Sequence, residues 1–92
     1  ASIMYSSSKP PTSRNQMQKQ VENGQAPKGV DRVDGVHTNL KPPNNQPHVH
    51  FKNGTAINLD GSMHHGSIRD LKITNQIAKW LLNNGWSIPN IK

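Results

Sequence analysis

His48 and His50 stand one residue apart in the segment Gln46–Gly61, QPHVHFKNGTAINLDG. Side chains alternate across a β-strand, so residues i and i+2 share a face. At a rise of about 3.3 Å per residue the two imidazoles would stand about 7 Å apart. Imidazole is the side chain that titrates near neutrality. A pair at this distance can flank a phosphodiester of RNA. One ring takes the proton of a 2′-hydroxyl, and the other protonates the leaving 5′-oxygen. A nearby cation or donor then holds the charge on the phosphate. The same spacing also lets two rings share one metal ion.

Other residues are available to such a centre. The chain has five histidines, the others being His37, His64 and His65. His37 follows Arg32 and Asp34 in a loop and can close onto the histidine face. His64 and His65 are adjacent, so only one of them can face a site from an extended segment. Asn58 and Asp60 continue the polar pattern, and Thr55 offers a hydroxyl beside a turn. The expected catalytic set is His48, His50, His37, Asn58 and Thr55. The expected RNA contacts are Lys28, Arg32, Lys52, His64 and Arg69, with Lys72 a further phosphate candidate. His-x-His is a genuine ligand spacing, with His64, His37 or Asp60 as a possible third ligand. Cysteine and the His-Glu-x-x-His pattern are both absent from the sequence, so no metal ligand and no cofactor are assigned. The sequence contains no phosphate-binding glycine loop, no Gly-x-Ser-x-Gly and no paired carboxylates. Nucleotide hydrolysis, serine hydrolysis and glycoside hydrolysis therefore have no support.

The elements that must position these groups follow from pattern. Asn53-Gly54 suggests a two-residue turn, which would pair His50 with Ile57 and mix the faces. A three-residue loop, Lys52-Asn53-Gly54 with Gly54 left-handed, instead sets Val49 opposite Ile57 and Phe51 opposite Thr55. His48 then faces Asn58, and His50 faces Ala56. A one-residue slip reverses every side chain, so the apolar pattern selects the longer loop. It predicts an exposed histidine face, with Val49, Phe51, Ile57 and Leu59 turned to the core. The clearest helix starts at an N-cap Thr74. Ile73, Ile77, Trp80 and Leu81 form its apolar stripe. Gly85 then suits the position after the C-cap, with Trp86 folded back in a Schellman arrangement. Both tryptophans are expected in the core, with this helix packed on the hairpin.

Upstream, Ser13–Asn23 is a weaker helix with Met17 and Val21 four apart and Gly24 as its stop. Residues 25–29 form a turn. Residues 30–36 suggest a short strand, yet Val30, Val33 and Val36 fall three apart and leave its faces undefined. Residues 37–47 are a Pro/Asn loop. His64–Ser67 is expected in a loop, although Ser62–His64 can extend the second strand. Residues 1–12 are Ser- and Pro-rich and suit a flexible linker or arm. Residues 13–92 then form a single domain.

Composition bounds the rest. Ninety-two residues, 30% of them hydrophobic and none cysteine, allow one domain with a thin core. Mean hydropathy is −0.83. A net charge of +6 and a pI of about 10.1 favour an anionic partner. No apolar run approaches the roughly 20 residues of a spanning helix, and no signal peptide is recognisable. A start at Ala1 suits a piece of a longer protein.

The stretch from Ala26-Pro27-Lys28-Gly29-Val30-Asp31-Arg32-Val33-Asp34 through His37, then His48–Gly61, then Ile77–Leu81 to Gly85-Trp86, resembles the C-terminal toxin domains of bacterial polymorphic toxins, those of contact-dependent growth inhibition and related systems. The resemblance covers about residues 26–86. Its most specific part is His-x-His-Phe-x-x-Gly-Thr-Ala-x-Asn. It implies a ribonuclease toxin with a barnase/EndoU/colicin/RelE-like fold, often a transfer-RNA nuclease. Several histidines without a complete ligand set favour metal-independent cleavage, the alternatives being a metal-dependent nuclease using the His-x-His pair or a non-catalytic basic RNA-binding module. The resemblance also implies delivery as part of a larger secreted or surface protein, action in the target cell's cytoplasm, and neutralisation by a cognate immunity protein. The charge of this chain favours an acidic immunity partner, and a monomer with no membrane association is expected. The overall expectation is α+β: a small antiparallel sheet with a central hairpin against one C-terminal helix, plus a weak N-terminal helix. That family's fold has four or more strands and ends in sheet. Here only two strands are clear, and a helix follows them.

Overall fold

The computed structural model describes residues 4–5 and 7–89. The chain order is β1 (Met4–Tyr5), α1 (Arg14–Glu22), β2 (Val30–Asp34), β3 (His48–Phe51), β4 (Ala56–Asn58), β5 (Met63–His65), α2 (Asn75–Asn83) and β6 (Ile88–Pro89). The fold is α+β. A four-stranded antiparallel sheet has the order β2-β3-β4-β5, and β1 pairs with β6 in a separate ladder. Two of these strands were clear from sequence, and β2 and β5 complete the main sheet.

The central hairpin takes the predicted register. His48 pairs with Asn58, Val49 with Ile57 and His50 with Ala56. The Phe51 N–H donates to Thr55 O at 2.9 Å, and Gly54 sits at φ 92°. A residue with a Cβ rarely adopts that φ, so Asn-Gly serves the three-residue loop.

A bulge resolves the ambiguous spacing of β2. Val30 pairs with Phe51 and Arg32 with His50, so Asp31 is an extra residue on the strand. One inserted residue lets Val30 and Val33 both reach the core although they are three apart. Arg32 and Asp34 are thereby turned to the histidine face. A second bulge lies in β5, where Met63 pairs with Ile57 and His65 with Ala56, leaving His64 extra. His64 is therefore in a strand and not in the expected loop.

Helix α1 runs from an N-cap Ser13, whose side chain accepts from Gln16 N, to Asn23, with Gly24 at φ 74°. It guards the edge of the sheet. Gln18 Oε1 accepts from Val33 N at 2.8 Å, and Arg14 Nε donates to Val33 O at 2.8 Å. Helix α2 begins after Thr74, whose hydroxyl oxygen accepts from Ile77 N. Trp86 N donates to Leu81 O and Gly85 N to Leu82 O, the two bonds of a Schellman motif.

One core cluster joins Met17, Val30, Val33, Val49, Phe51 and Ile57 to Ile77, Trp80, Leu81 and Trp86. Both indoles are anchored: Trp80 Nε1 donates to Gln20 Oε1 at 2.7 Å, and Trp86 Nε1 to Met17 Sδ at 2.9 Å. Leu59 is only half-buried, in the turn before β5. Of the segment expected as a linker, Ser7 Oγ donates to Leu82 O and Thr12 N to Asn84 O. These residues lie along the C-terminal end of α2, against Gly85. Among the described residues, no helix is long and apolar enough to cross a membrane.

Candidate active site

The register arranges two rows across the sheet. Asp34, His48 and Asn58 form one, and Arg32, His50, Ala56 and His65 the next. Directly opposed side chains in such rows lie about 4.5–5.5 Å apart at Cβ. His64, the bulge residue of β5, turns onto the first row. His37 reaches it from the loop after β2. The imidazoles of His37, His50 and His64 therefore gather around that of His48, and two of the four, His48 and His50, face the Asp34 carboxylate. The His48 ring lies 3.6 Å from that of His64, 4.9 Å from His50 and 5.3 Å from His37, centroid to centroid.

The hydrogen bonds define which ring nitrogens carry protons. His48 Nδ1 lies 3.2 Å from Gln46 O. A carbonyl only accepts, so Nδ1 donates, and Nε2 points to Asp34 Oδ2 at 3.6 Å. His64 Nδ1 donates to Asn58 Oδ1 at 3.0 Å. Asn58 is oriented by donating from Nδ2 to Asn44 Oδ1 and Ser62 Oγ. His50 Nε2 lies 3.2 Å from Asp34 Oδ2. Arg32 Nε bonds both Asp34 oxygens, at 3.1 and 3.2 Å.

The electrostatics favour a charged carboxylate at Asp34 and neutral rings at His50 and His64. Burial opposes the charge on Asp34, but the Arg32 hydrogen bond and charge, with the two imidazoles, hold its carboxyl below the ordinary range. Burial, then the Arg32 charge, lowers His50, and Asp34 offsets only part of this. Burial and the surrounding histidines push His64 down to about 4.

The expected exposed histidine face is corrected. His48 is 1% exposed and Asn58 fully buried, while His50 and His64 are partly open and His37 is exposed. The cause is the Pro/Asn loop, which folds back over this end of the sheet. Asn44 bonds Asn58, Gln46 bonds Asp60, and Leu59 N donates to Pro47 O. Buried Asn58 thus holds His64 and Ser62 in place. Thr55 is also buried, and its hydroxyl donates to Asn53 Oδ1 within the turn, not to any imidazole.

The basic residues separate into groups. Arg32 is at the site and His64 is inside it. Lys28, Lys52 and Lys72 instead ring a cavity of about 220 Å³ floored by Phe51 and Ile77. Phe51 projects from the face opposite His50, so these lysines are on the other side of the sheet. Arg69 is exposed in the turn before Leu71. The residue missed from sequence is Asp34. Its two-residue spacing from Arg32 is a strand-face signal, but the bulge at Asp31 hid which face it shared.

No protein-family model, curated protein or solved structure matches the chain.

Proposed function

We propose that this domain is a metal-independent endoribonuclease toxin, with His50 and Asp34 as its base pair. The carrying observation is the 3.2 Å contact between His50 Nε2 and Asp34 Oδ2, on a partly open sheet face beside three more imidazoles. In this scheme His50 carries its proton on Nε2, facing Asp34, and the Nδ1 lone pair is free. That nitrogen takes the proton of the 2′-hydroxyl, and Asp34 stabilises the imidazolium formed. The 2′-oxygen bonds to phosphorus as the bond to the 5′-oxygen breaks. His37, the exposed ring at the mouth, delivers a proton to that leaving oxygen. Arg32, about half exposed, stabilises the phosphorane charge. The products are a 2′,3′-cyclic phosphate and a 5′-hydroxyl. His48, His64 and Asn58 are positioning residues in this scheme.

The net charge of +6 supports an RNA substrate and an acidic inhibitor. The resemblance to polymorphic-toxin domains supports transfer RNA as the target, a cognate immunity protein, and delivery from a larger protein into a neighbouring cell. The test is to express the domain without a partner and examine total RNA from the cells. Discrete transfer-RNA fragments bearing 2′,3′-cyclic phosphates are expected. Growth arrest with intact RNA, or cutting of substrates that lack the 2′-hydroxyl, would overturn the proposal.

A further inference from the structure

We propose that Asp34 Oδ2, His48 Nε2 and His50 Nε2 form a site for one transition-metal ion of the zinc class. The three ligand atoms all lie within 4.8 Å of one another. Two of the separations are 3.2 and 3.6 Å. Bonds of about 2.0–2.1 Å in a tetrahedral zinc site place neighbouring ligands about 3.3 Å apart. The two separations from Asp34 bracket that value, and the His48–His50 pair lies within 4.8 Å.

The ring orientations add a second argument. His48 Nδ1 donates to the Gln46 carbonyl, so in that tautomer Nε2 offers its lone pair toward a carboxylate oxygen. At 3.6 Å the two acceptors are beyond hydrogen-bond length. A cation between them satisfies both. A backbone carbonyl on the far nitrogen is the usual second contact of a metal-bound histidine, because it fixes the ring and the tautomer. His48 is also clamped by burial and by the His64 ring, so it cannot swing away. Asp34 is likewise held through Arg32.

The donor set selects the ion. Two imidazoles and one carboxylate suit zinc, cobalt, nickel or copper. Magnesium and calcium prefer all-oxygen shells. A tetrahedral ion held by these three groups would have a fourth position for a water. An ion here would also flip the His50 tautomer. With Nε2 on the metal, the ring proton sits on Nδ1, and the base proposed for RNA cleavage is gone. Zinc therefore silences that chemistry.

The ion site stands on its own geometry, and direct binding tests it. Chelator-stripped protein is titrated with zinc by calorimetry, and with cobalt by visible absorption. One ion per chain is expected. Asp34→Asn and His50→Ala should each weaken binding by about tenfold or more, while His65→Ala leaves it unchanged. Circular dichroism checks that the variants fold. In parallel, the imidazole nitrogen resonances of the wild-type protein should shift at Nε2 of His48 and His50, which needs no variant. Absence of saturable binding, retention of binding in both variants, or shifts confined to His64 and His65 would overturn the site. RNA cleavage on the same samples separates the two proposals. Cleavage that requires zinc would overturn the metal-free chemistry and leave the site standing. Cleavage in EDTA, together with no saturable zinc binding once the chelator is removed, would do the reverse.

Discussion

His64 lies flat on His48, with ring centroids 3.6 Å apart and planes inclined by 11°. The stack seals the inner ring from solvent. It also sets His64 against several histidines at once, so a proton on it is unwelcome.

The first prediction is that acid destabilises the fold early. The His64 pKa is about 4 when folded, against 6.5 for the free group. Between those values the unfolded chain binds more protons, so stability rises with pH. It is full above about 6.5 and is lost as pH falls toward 4. His50 is lowered too and acts in the same direction. The depressed Asp34 and Asp60 carboxyls add a further loss below 3.8. Thermal melts should show a lower Tm at pH 5 than at pH 7. The gap should narrow in His64→Gln. A Tm that is flat from pH 7 to 4 would contradict this.

The two histidines of the His-x-His pair should behave differently. His50 is partly exposed, so His50→Ala should fold and lose about 10²–10⁴-fold in RNA cleavage. Asp34→Asn should fold as well, with a smaller loss than His50→Ala. His48 is enclosed, and His48→Ala leaves a void beneath His64. It should cost on the order of 2–3 kcal/mol in denaturant unfolding. Equal stability of the two alanine variants would show that His48 is not a structural centre.

The pH dependence of cleavage identifies the base. Burial and the Arg32 charge hold His50 below 6.5. Activity should therefore persist below that pH, with the acid limb of kcat/KM falling at the lowered value. Arg32→Gln removes a charge that opposes protonation, so the limb should move to higher pH. A limb unmoved by that substitution would exclude His50 as the titrating base.

Gly85 tests how the N-terminal segment docks. It sits at φ 82°, and a Cβ there would come within 2.5 Å of Pro10 O. Gly85→Ala should destabilise by about 1–2 kcal/mol or more, through both strain and displacement of that segment. Deleting residues 1–12 should also lower Tm, because Leu82 O and Asn84 O lose their donors. After the deletion, Gly85→Ala should cost less, since the close approach is gone. Equal costs with and without the segment would show that it does not press on Gly85.

Local rules made the hairpin and α2 legible. Val49, Phe51 and Ile57 fixed the register because any slip would bury the wrong face. Thr74, Gly85 and Trp86 marked the ends of α2 because caps are short-range devices. The site was only half legible for the opposite reason. Asp31 and His64 are bulge residues, and a bulge breaks the period on which a face assignment rests. Burial of His48 and Asn58 depends on Asn44 and Gln46, which reach them across a loop with no periodic signal. His50 was identifiable as a polar-face residue and Arg32 only as a phosphate contact, and their shared carboxylate at Asp34 was not.

The bonds from Arg14 and Gln18 to Val33 close one side of the main sheet. Among the described residues, no strand pairs with the outer side of β5. A visiting peptide that lengthened the sheet would therefore have to align beside Met63–His65. That border carries His64 and so adjoins the imidazole cluster. Lateral docking of this kind would place a foreign backbone next to the ring stack without any need to enter the cleft.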